Sequence, residues 1–347
     1  MKVAVYYNNK DIRIEERPVP KIGPDELLVK VVASGICGSD VLEWYRIKKA
    51  PLVLGHEISG EIVEAGAAVK KYKAGQQVFV SHHVPCNGCH HCLAGHHTAC
   101  HTLHTTNYDP GGFAEFLRVP AINVDRGTFV LPDEVSFEQG AMIEPLACVL
   151  RGQRLARFTP GQSLLVLGSG ISGLLHIMAA KACGGGKVFA TDISAFRLAA
   201  AKAQGADVTL NAKDDLTAAI RAQNAGRLAD LIIVATGALP AFKQALQCIE
   251  PGGTVLFFAC PQPGIDLAVP LNEFWRNEIK LLPSYGAAPY DITEAIELIR
   301  AKRLAPEKII THRLGLKDAA LGFKLTAEPK DSLKVIIVPH KKEVGHE

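Results

Sequence analysis

The chain has 347 residues, of which 48% are apolar and 21% charged, an ordinary globular composition with material for two cores, because compact domains mostly run ~100–200 residues. Its formal net charge is +3, and no Lys/Arg run exceeds two residues. That excludes the clustered basic face of a nucleic-acid binder or of a protein held to an anionic membrane surface.

The opening residues, MKVAVYYNNKDIRIEE, read as strand, turn and strand, with no apolar signal core before a small-residue cleavage site. The apolar stretches near 164–180 and 231–235 are broken or short against the ~20 residues of a membrane-spanning helix. Nine cysteines in a chain this long are not a secreted disulfide framework, and their spacing in a reducing compartment points to metal. The expected location is the cytoplasm.

Residues 1–150 carry short β-like runs at 2–7, 27–34, 58–65, 77–80 and 114–120, punctuated by Gly and Pro. They predict an irregular, mostly antiparallel domain. At Ser136 the texture changes. Ser136 stands at an N-cap position, Glu138 falls in the first turn and apolar residues follow at helical intervals, which predicts one long helix over 136–156. Strict alternation follows: strand 163–167, helix 171–183, strand 187–190, helix 195–204, strand 230–235, helix 240–249 and strand 253–258. Strands separated by helices of this length predict a parallel sheet with helical crossovers. A helix over 292–301 and a strand over 333–338 close the chain, and the final KKEVGHE reads as loose.

Inside the alternating part, VLGSGISG sets Gly168, Gly170 and Gly173 in G-x-G-x-x-G spacing between an apolar strand and a helix. The first glycine permits the tight turn, the second admits a pyrophosphate to the backbone and the third allows close helix–strand packing. The helix N-terminus, which includes Ile171 and Ser172, offers N–H groups and partial positive charge to phosphates. Asp192 ends the next strand 19 residues past the third glycine. A carboxylate there accepts from ribose hydroxyls and repels a 2′-phosphate, which favours NAD(H) over NADP(H). Arg197 and Thr236 complete the candidate cofactor set.

Two groups of metal-ligand type stand out. Cys86, Cys89, Cys92 and Cys100 form C-x₂-C-x₂-C-x₇-C in a Pro/Gly/His-rich loop. Four thiolates from one short segment suit a closed tetrahedral zinc site, with an iron–sulfur cluster as the competing reading. Eight histidines crowd the same region, His82, His83, His90, His91, His96, His97, His101 and His104; with the thiolate shell complete, most read as solvated loop residues. The second group is dispersed: Cys37 in GICGSD, His56 and Glu57 in GHE, and Glu144 in IEPLAC. A catalytic zinc takes about three protein ligands and leaves one place for water or substrate. Asp40 is positioned to orient His56 from behind.

These residues resemble the zinc-containing medium-chain dehydrogenases, the family of alcohol, sorbitol and threonine dehydrogenases. GHEISGEIVEAGAAV, GICGSD, the four-cysteine lobe, GGFAEFLRVP, EPLAC, GSGISG and DISAFRLAAAKAQGAD follow the family's order over essentially the whole chain. The resemblance implies an α/β protein: a GroES-like, mostly-β catalytic domain with its zinc lobe (1–150), a doubly wound parallel-sheet Rossmann domain for NAD (151–288), and a C-terminal return (289–347). It implies that Cys37, His56 and Glu144 hold a catalytic zinc and the lobe cysteines a structural zinc. Glu57 would be an adjacent or exchanging ligand, and Ser39 would sit near the reacting oxygen to take its proton. GHE with EPLAC is closest to the sorbitol and polyol branch. The sequence departs from some relatives at Leu42 and Glu43, in a stretch where they place a histidine, and from many at Leu150 and Arg151, where they carry one. Trp44, Tyr45, Phe113 and the segment 284–290 are candidates for shaping the pocket, or for core.

The expected activity is hydride transfer from the secondary alcohol of a polyol-like substrate to NAD⁺ by a homodimer or homotetramer. Amino alcohols such as threonine, sugar phosphates and cyclic alcohols are the alternatives within the class. A zinc-ribbon binding module and an iron–sulfur protein are the alternatives outside it.

Overall fold

The computed structural model describes residues 1–341. The final run read as loose lies, apart from Lys341, outside the described residues. The chain divides into two units, one formed by Met1–Ala147 with the return from Ala287, the other by Cys148–Gly286.

In chain order the first unit contributes β1 (Lys2–Asn8), β2 (Asp11–Glu16), β3 (Leu27–Gly35), β4 (Leu52–Val53), β5 (Glu57–Ala65), β6 (Gln77–Ser81), β7 (Phe116–Val119) and β8 (Thr128–Val130). The second contributes β9 (Leu164–Leu167), β10 (Val188–Asp192), β11 (Val208–Asn211), β12 (Ala229–Val234), β13 (Ile249–Phe257) and β14 (Lys280–Pro283). The return adds β15 (Ile310–Gly315) and β16 (Lys334–Val338) to the first unit.

The first unit's main sheet runs β15-β16-β3-β5-β6-β8, with β7 also on β3, and a small sheet β2-β1-β4 stands apart. All pairings are antiparallel except β15 with β16. One core packs Leu27, Val29, Val31, Ile58, Ile62, Val78 and Val80 between these strands. The alternation of those residues along β3, β5 and β6 is what period-2 burial requires. β16 pairs with β3 at Ile336–Gly35 and Ile337–Ser34, so the C-terminal return lies beside the strand that leads into Cys37.

The helix expected over 136–156 is two helices, Phe137–Ala141 and Ile143–Leu155, parted at Met142. The cause is Pro145. In one continuous helix it would sit in the interior, where it lacks an N–H and its ring meets the carbonyl four residues back. A helix restarting at Ile143 puts it in the first turn, where no N–H is needed. Ser136 does cap the first piece, accepting from Gln139 N–H at 3.2 Å while the Gln139 side chain accepts from Ser136 N–H at 3.0 Å, a capping box.

In the second unit six strands pair in parallel in the order β11-β10-β9-β12-β13-β14. Its core includes Leu165, Phe189, Ile232, Val234, Val255 and Phe242. From β9 the chain winds outward through β10 and β11, then returns to β12 on β9's other side. That reversal opens a crevice beyond the carboxyl ends of β9 and β12, where doubly wound sheets bind ligands. β11, β14 and the helix Leu216–Gln223, which Asp215 caps by accepting from Ala218 N–H at 3.1 Å, go beyond the elements expected from the sequence.

Candidate active site

Cys37 ends the turn after β3, and His56 with Glu57 opens β5. Side-chain donors of these three residues lie within 4.8 Å of one another. A thiol, an imidazole and a carboxylate make a donor set that suits a single borderline-soft divalent ion such as zinc. Glu144, at the head of the helix Ile143–Leu155, is not in this group of three. Its charge nevertheless acts on Tyr108: burial, then the carboxylates of Glu144, Asp40 and Glu57, hold that phenol's pKa well above its ordinary value.

Asp40 is fully enclosed. Its carboxylate accepts from Cys37 N–H at 3.1 Å and lies 3.3 Å from His56 Nδ1 and 3.4 Å from Arg46 Nη2. With the proton on Nδ1, Nε2 is left as the imidazole's lone-pair donor. Burial favours a neutral His56, but Asp40 and then Cys37 outweigh it and hold the imidazole's pKa well above the usual range. Burial acts against ionised Asp40 as well, and His56 and Arg46 overcome it, so its pKa lies below the ordinary value.

Ser39 Oγ donates to Cys37 Sγ at 3.4 Å and accepts from Arg46 Nη2 at 3.0 Å; Arg46 Nε also donates to Ser39 O at 3.0 Å. Ser39 is thus fixed between the thiol and a permanently charged guanidinium.

Three residues at this site are not singled out by the sequence. Arg46 is one. Lys334 is another: it is buried on β16 and ion-paired with Glu57. The third is His82, placed with the solvated loop histidines from sequence. Its ring centroid lies 4.8 Å from that of His56 and 3.8 Å from that of His83, and its Nδ1 is buried without a hydrogen-bond partner. Burial, then neighbouring positive charge, keeps His82 well below its ordinary pKa and lowers His83 to about 4. The only sequence signal was position, immediately after β6 and before the lobe. Phe113 is core: it is fully buried and meets Phe323 edge-on at 5.6 Å. Arg151 is buried and Tyr45 exposed.

The four lobe cysteines converge, with Sγ atoms within 4.8 Å of one another. The Cys89–Cys92 and Cys86–Cys92 sulfurs are 3.6 and 4.0 Å apart. A tetrahedron with zinc–sulfur bonds of about 2.3 Å has edges of about 3.8 Å, so the group matches one ion's shell and leaves no room for the metal–sulfide core of a cluster. Burial raises Cys92, and the neighbouring thiols add to this, to about 12. Cys100 is also pushed up by burial, but hydrogen bonds from the Cys86 and Leu103 amides bring it to about 5.

In the second unit the glycine turn joins β9 to the helix Ile171–Ala182. Gly168 has φ +95°, a left-handed backbone open to glycine. A Cβ on Gly173 would run into the Gly168 carbonyl, whereas one on Gly170 meets nothing within 4 Å. Gly173 therefore serves packing, and Gly170 faces open space where a phosphate can approach, with Ile171 and Ser172 supplying the helix's first amides. Thr236, beyond β12, stands against Gly168. Asp192 is buried at the end of β10; its two oxygens accept from Ser169 and Ser194 N–H, each at 2.9 Å, and Arg197 Nη1 lies 3.7 Å away. Each carboxylate oxygen keeps a second lone pair, so the ribose role is compatible with these bonds.

Residues 23–127 match the alcohol dehydrogenase GroES-like domain, and residues 172–301 the zinc-binding dehydrogenase domain. The chain is 32% identical to the sorbitol dehydrogenase of Bacillus subtilis over 98% of both chains. It is 34% identical to a probable D-xylulose reductase A of Aspergillus fumigatus over 90% of both. The crystal structure of 2R,3R-butanediol dehydrogenase from Bacillus subtilis superposes with a TM-score of 0.86 at 29% identity, covering 98% of this chain and 99% of that one. The chain belongs to the zinc-containing medium-chain dehydrogenases, in their sorbitol and polyol branch. Within that family it is a zinc-dependent polyol or alcohol dehydrogenase.

Proposed function

We propose that the chain oxidises a secondary alcohol of a polyhydric substrate to a ketone, reducing NAD⁺. The observation that carries this is the Cys37–His56 pair with its acidic neighbours, backed by Asp40 and flanked by Ser39. Cys37 and His56, with Glu144 from the head of its helix, would hold the catalytic zinc, and Cys86, Cys89, Cys92 and Cys100 the structural one. When bound, zinc supplies Lewis-acid polarisation of the substrate hydroxyl and NAD⁺ the hydride acceptor.

The chain's own residues do the rest. Asp40 orients His56. Ser39 Oγ, an acceptor and a donor, would relay the hydroxyl proton, accepting it as its own O–H proton passes on toward solvent, and Arg46 keeps the serine in place. His82 Nδ1, buried and unpartnered beside His56, suits a hydrogen bond to a second substrate hydroxyl. That feature favours a polyol over a simple alcohol, because a buried polar group left unpaired against the simpler substrate weakens its binding.

In this reading residues 148–286 form the NAD-binding unit, with Gly168, Gly170, Ile171, Ser172 and Gly173 around the pyrophosphate and Asp192, Arg197 and Thr236 beside the adenosine half. Assembly is a homodimer or homotetramer: β14 ends its sheet, and Leu271, Trp275, Leu281 and Tyr285 near it are exposed, as an edge that pairs with a second copy requires. None of the nine cysteines forms a disulfide among the described residues, which suits a reducing cytoplasm. No helix among the described residues is long and apolar enough to cross a membrane.

The test is NADH formation across polyols, simple secondary alcohols, threonine and sugar phosphates, with and without a zinc chelator. Chelator-sensitive turnover greatest with polyols is expected. A preference for simple alcohols, or turnover indifferent to the chelator, would overturn the assignment.

A further inference from the structure

Arg46 uses only part of its hydrogen-bonding capacity. Nε donates to Ser39 O and Nη2 to Ser39 Oγ, each at 3.0 Å, and Nη2 lies 3.4 Å from the Asp40 carboxylate. The guanidinium also stands over the Tyr45 ring, 4.7 Å from its centroid. Nη1 meets no acceptor among the described residues, and it is accessible rather than enclosed. Two charged N–H donors are therefore left open on a group that its other contacts hold still. Nη1 and Nη2 share one carbon through bonds of about 1.33 Å, which puts Nη1 within about 5.7 Å of Ser39 Oγ.

The nearest acid is already in use. Asp40 is fully enclosed, and its carboxylate is shared by Cys37 N–H, His56 and Arg46. Along 43–49 the chain carries Arg46, Lys48 and Lys49 against the single acid Glu43, and both lysines are exposed. This charge reaches the side of the site where His82 lies. After burial and the neighbouring imidazoles, Arg46 lowers the pKa of both His82 and His83, and Lys49 that of His83. A neutral hydroxyl at Nη1 would leave the charge unanswered. A carboxylate or a phosphate answers it, with charge-assisted bonds about twice as strong as neutral ones.

We propose that the polyol oxidised here carries an anionic group, a carboxylate or a phosphate, which Arg46 Nη1 binds with the charge of Lys49 behind it. This rests on the reading that Ser39 flanks the reacting hydroxyl. The short span from Ser39 Oγ to Nη1 corresponds to a few bonds of a polyol chain, so an inner secondary hydroxyl and a terminal acid group of one molecule reach their partners together. Arg46 serves twice, holding Ser39 with Nη2 and the substrate with Nη1.

The test measures initial rates of NADH formation by the full-length zinc-loaded enzyme with hexitols and pentitols, their terminal phosphates and the matching aldonates. At least one anionic class should exceed its neutral parent in kcat/KM by about 10-fold or more, chiefly through KM, and the excess should shrink at high salt. Which class leads tells phosphate from carboxylate. Neutral polyols turned over as well as both anionic classes would overturn this inference and leave the polyol dehydrogenase reading standing. Turnover of no polyol, charged or neutral, would overturn both.

Arg46→Gln should lower the anionic-to-neutral ratio of kcat/KM about 10-fold. Loss of the Ser39 contact alone does not move that ratio, because it slows both substrates alike. Arg46→Lys, which restores the charge without the fork, should recover part of it. An unchanged ratio in Arg46→Gln, or weaker NADH binding in its place, assigns the cation elsewhere and overturns the proposal. Should Arg46→Gln not fold, Lys49→Gln at its exposed position decides. Its ratio should fall about three-fold at low salt, and an unchanged ratio there overturns the proposal.

Discussion

The Asp40 carboxylate, fully enclosed, lies 3.3 Å from Nδ1 of His56 and accepts the backbone N–H of Cys37, so one side chain braces both proposed zinc ligands. It fixes the imidazole's orientation and the turn that presents the thiol. Outer partners of metal ligands typically lower metal affinity about 10–100-fold when removed. Asp40→Ala should weaken catalytic-site zinc by that factor in chelator competition and leave the lobe zinc in place. Equal loss of both ions would show a general folding defect instead.

The two later glycines of the dinucleotide turn separate folding from binding. Gly173 has no room for a Cβ, since the Gly168 carbonyl occupies the space, whereas Gly170 has nothing within 4 Å. Gly173→Ala must push the helix Ile171–Ala182 from β9 and should lower the melting temperature markedly. Gly170→Val should melt within about 2 °C of wild type yet lose NADH binding, followed by nicotinamide fluorescence. If Gly170→Val binds NADH normally, the open space beside Gly170 is not the pyrophosphate site.

Asp192 is tested through cofactor preference. Its oxygens hold the Ser169 and Ser194 amides, and ribose hydroxyls would use the remaining lone pairs. Hydrogen bonds to a charged acceptor contribute about 1.5–3 kcal/mol, roughly 10–150-fold in affinity. Asp192→Asn keeps the shape but removes the charge that repels a 2′-phosphate. Its NAD⁺ to NADP⁺ ratio of kcat/KM should therefore fall by at least about 10-fold. An unchanged ratio in steady-state assays with both cofactors would remove Asp192 from recognition.

What could be seen in the sequence divides by range. The lobe cysteines lie within fifteen residues, and the glycine turn and Asp192 belong to one strand–helix–strand unit, so local spacing carries their chemistry. Lys334 stands 277 residues from Glu57, and no local pattern marks a lysine in a terminal apolar strand as the partner of GHE. His82 shows the same limit. In sequence it is one of eight loop histidines, and only the course of β6 beside β5 brings its ring against His56. The helix break at Met142 was legible in principle, because Pro145 is in plain view; the strong apolar periodicity around it masked the proline's effect.

His176 provides the pH test. It is fully buried on the helix Ile171–Ala182, edge-on to Phe258 at 4.5 Å, and its Nε2 has no hydrogen-bond partner. Burial alone lowers its pKa to about 3. An unfolded histidine titrates near 6.5, so between about pH 6.5 and 3 the unfolded chain holds a proton that the folded one does not. Stability must then fall on acidification, by about 1.4 kcal/mol per pH unit in that window. His176→Met removes the group and fills the space with an adaptable apolar side chain. The Gln153 side chain keeps its 2.9 Å bond to the residue 176 carbonyl. Relative to wild type, the variant should gain about 2 kcal/mol between pH 7 and pH 5, read as converging or crossing melting curves. Parallel pH profiles would mean that His176 takes up its proton over the same pH range folded as unfolded, and that water or a shifted carbonyl reaches its Nε2.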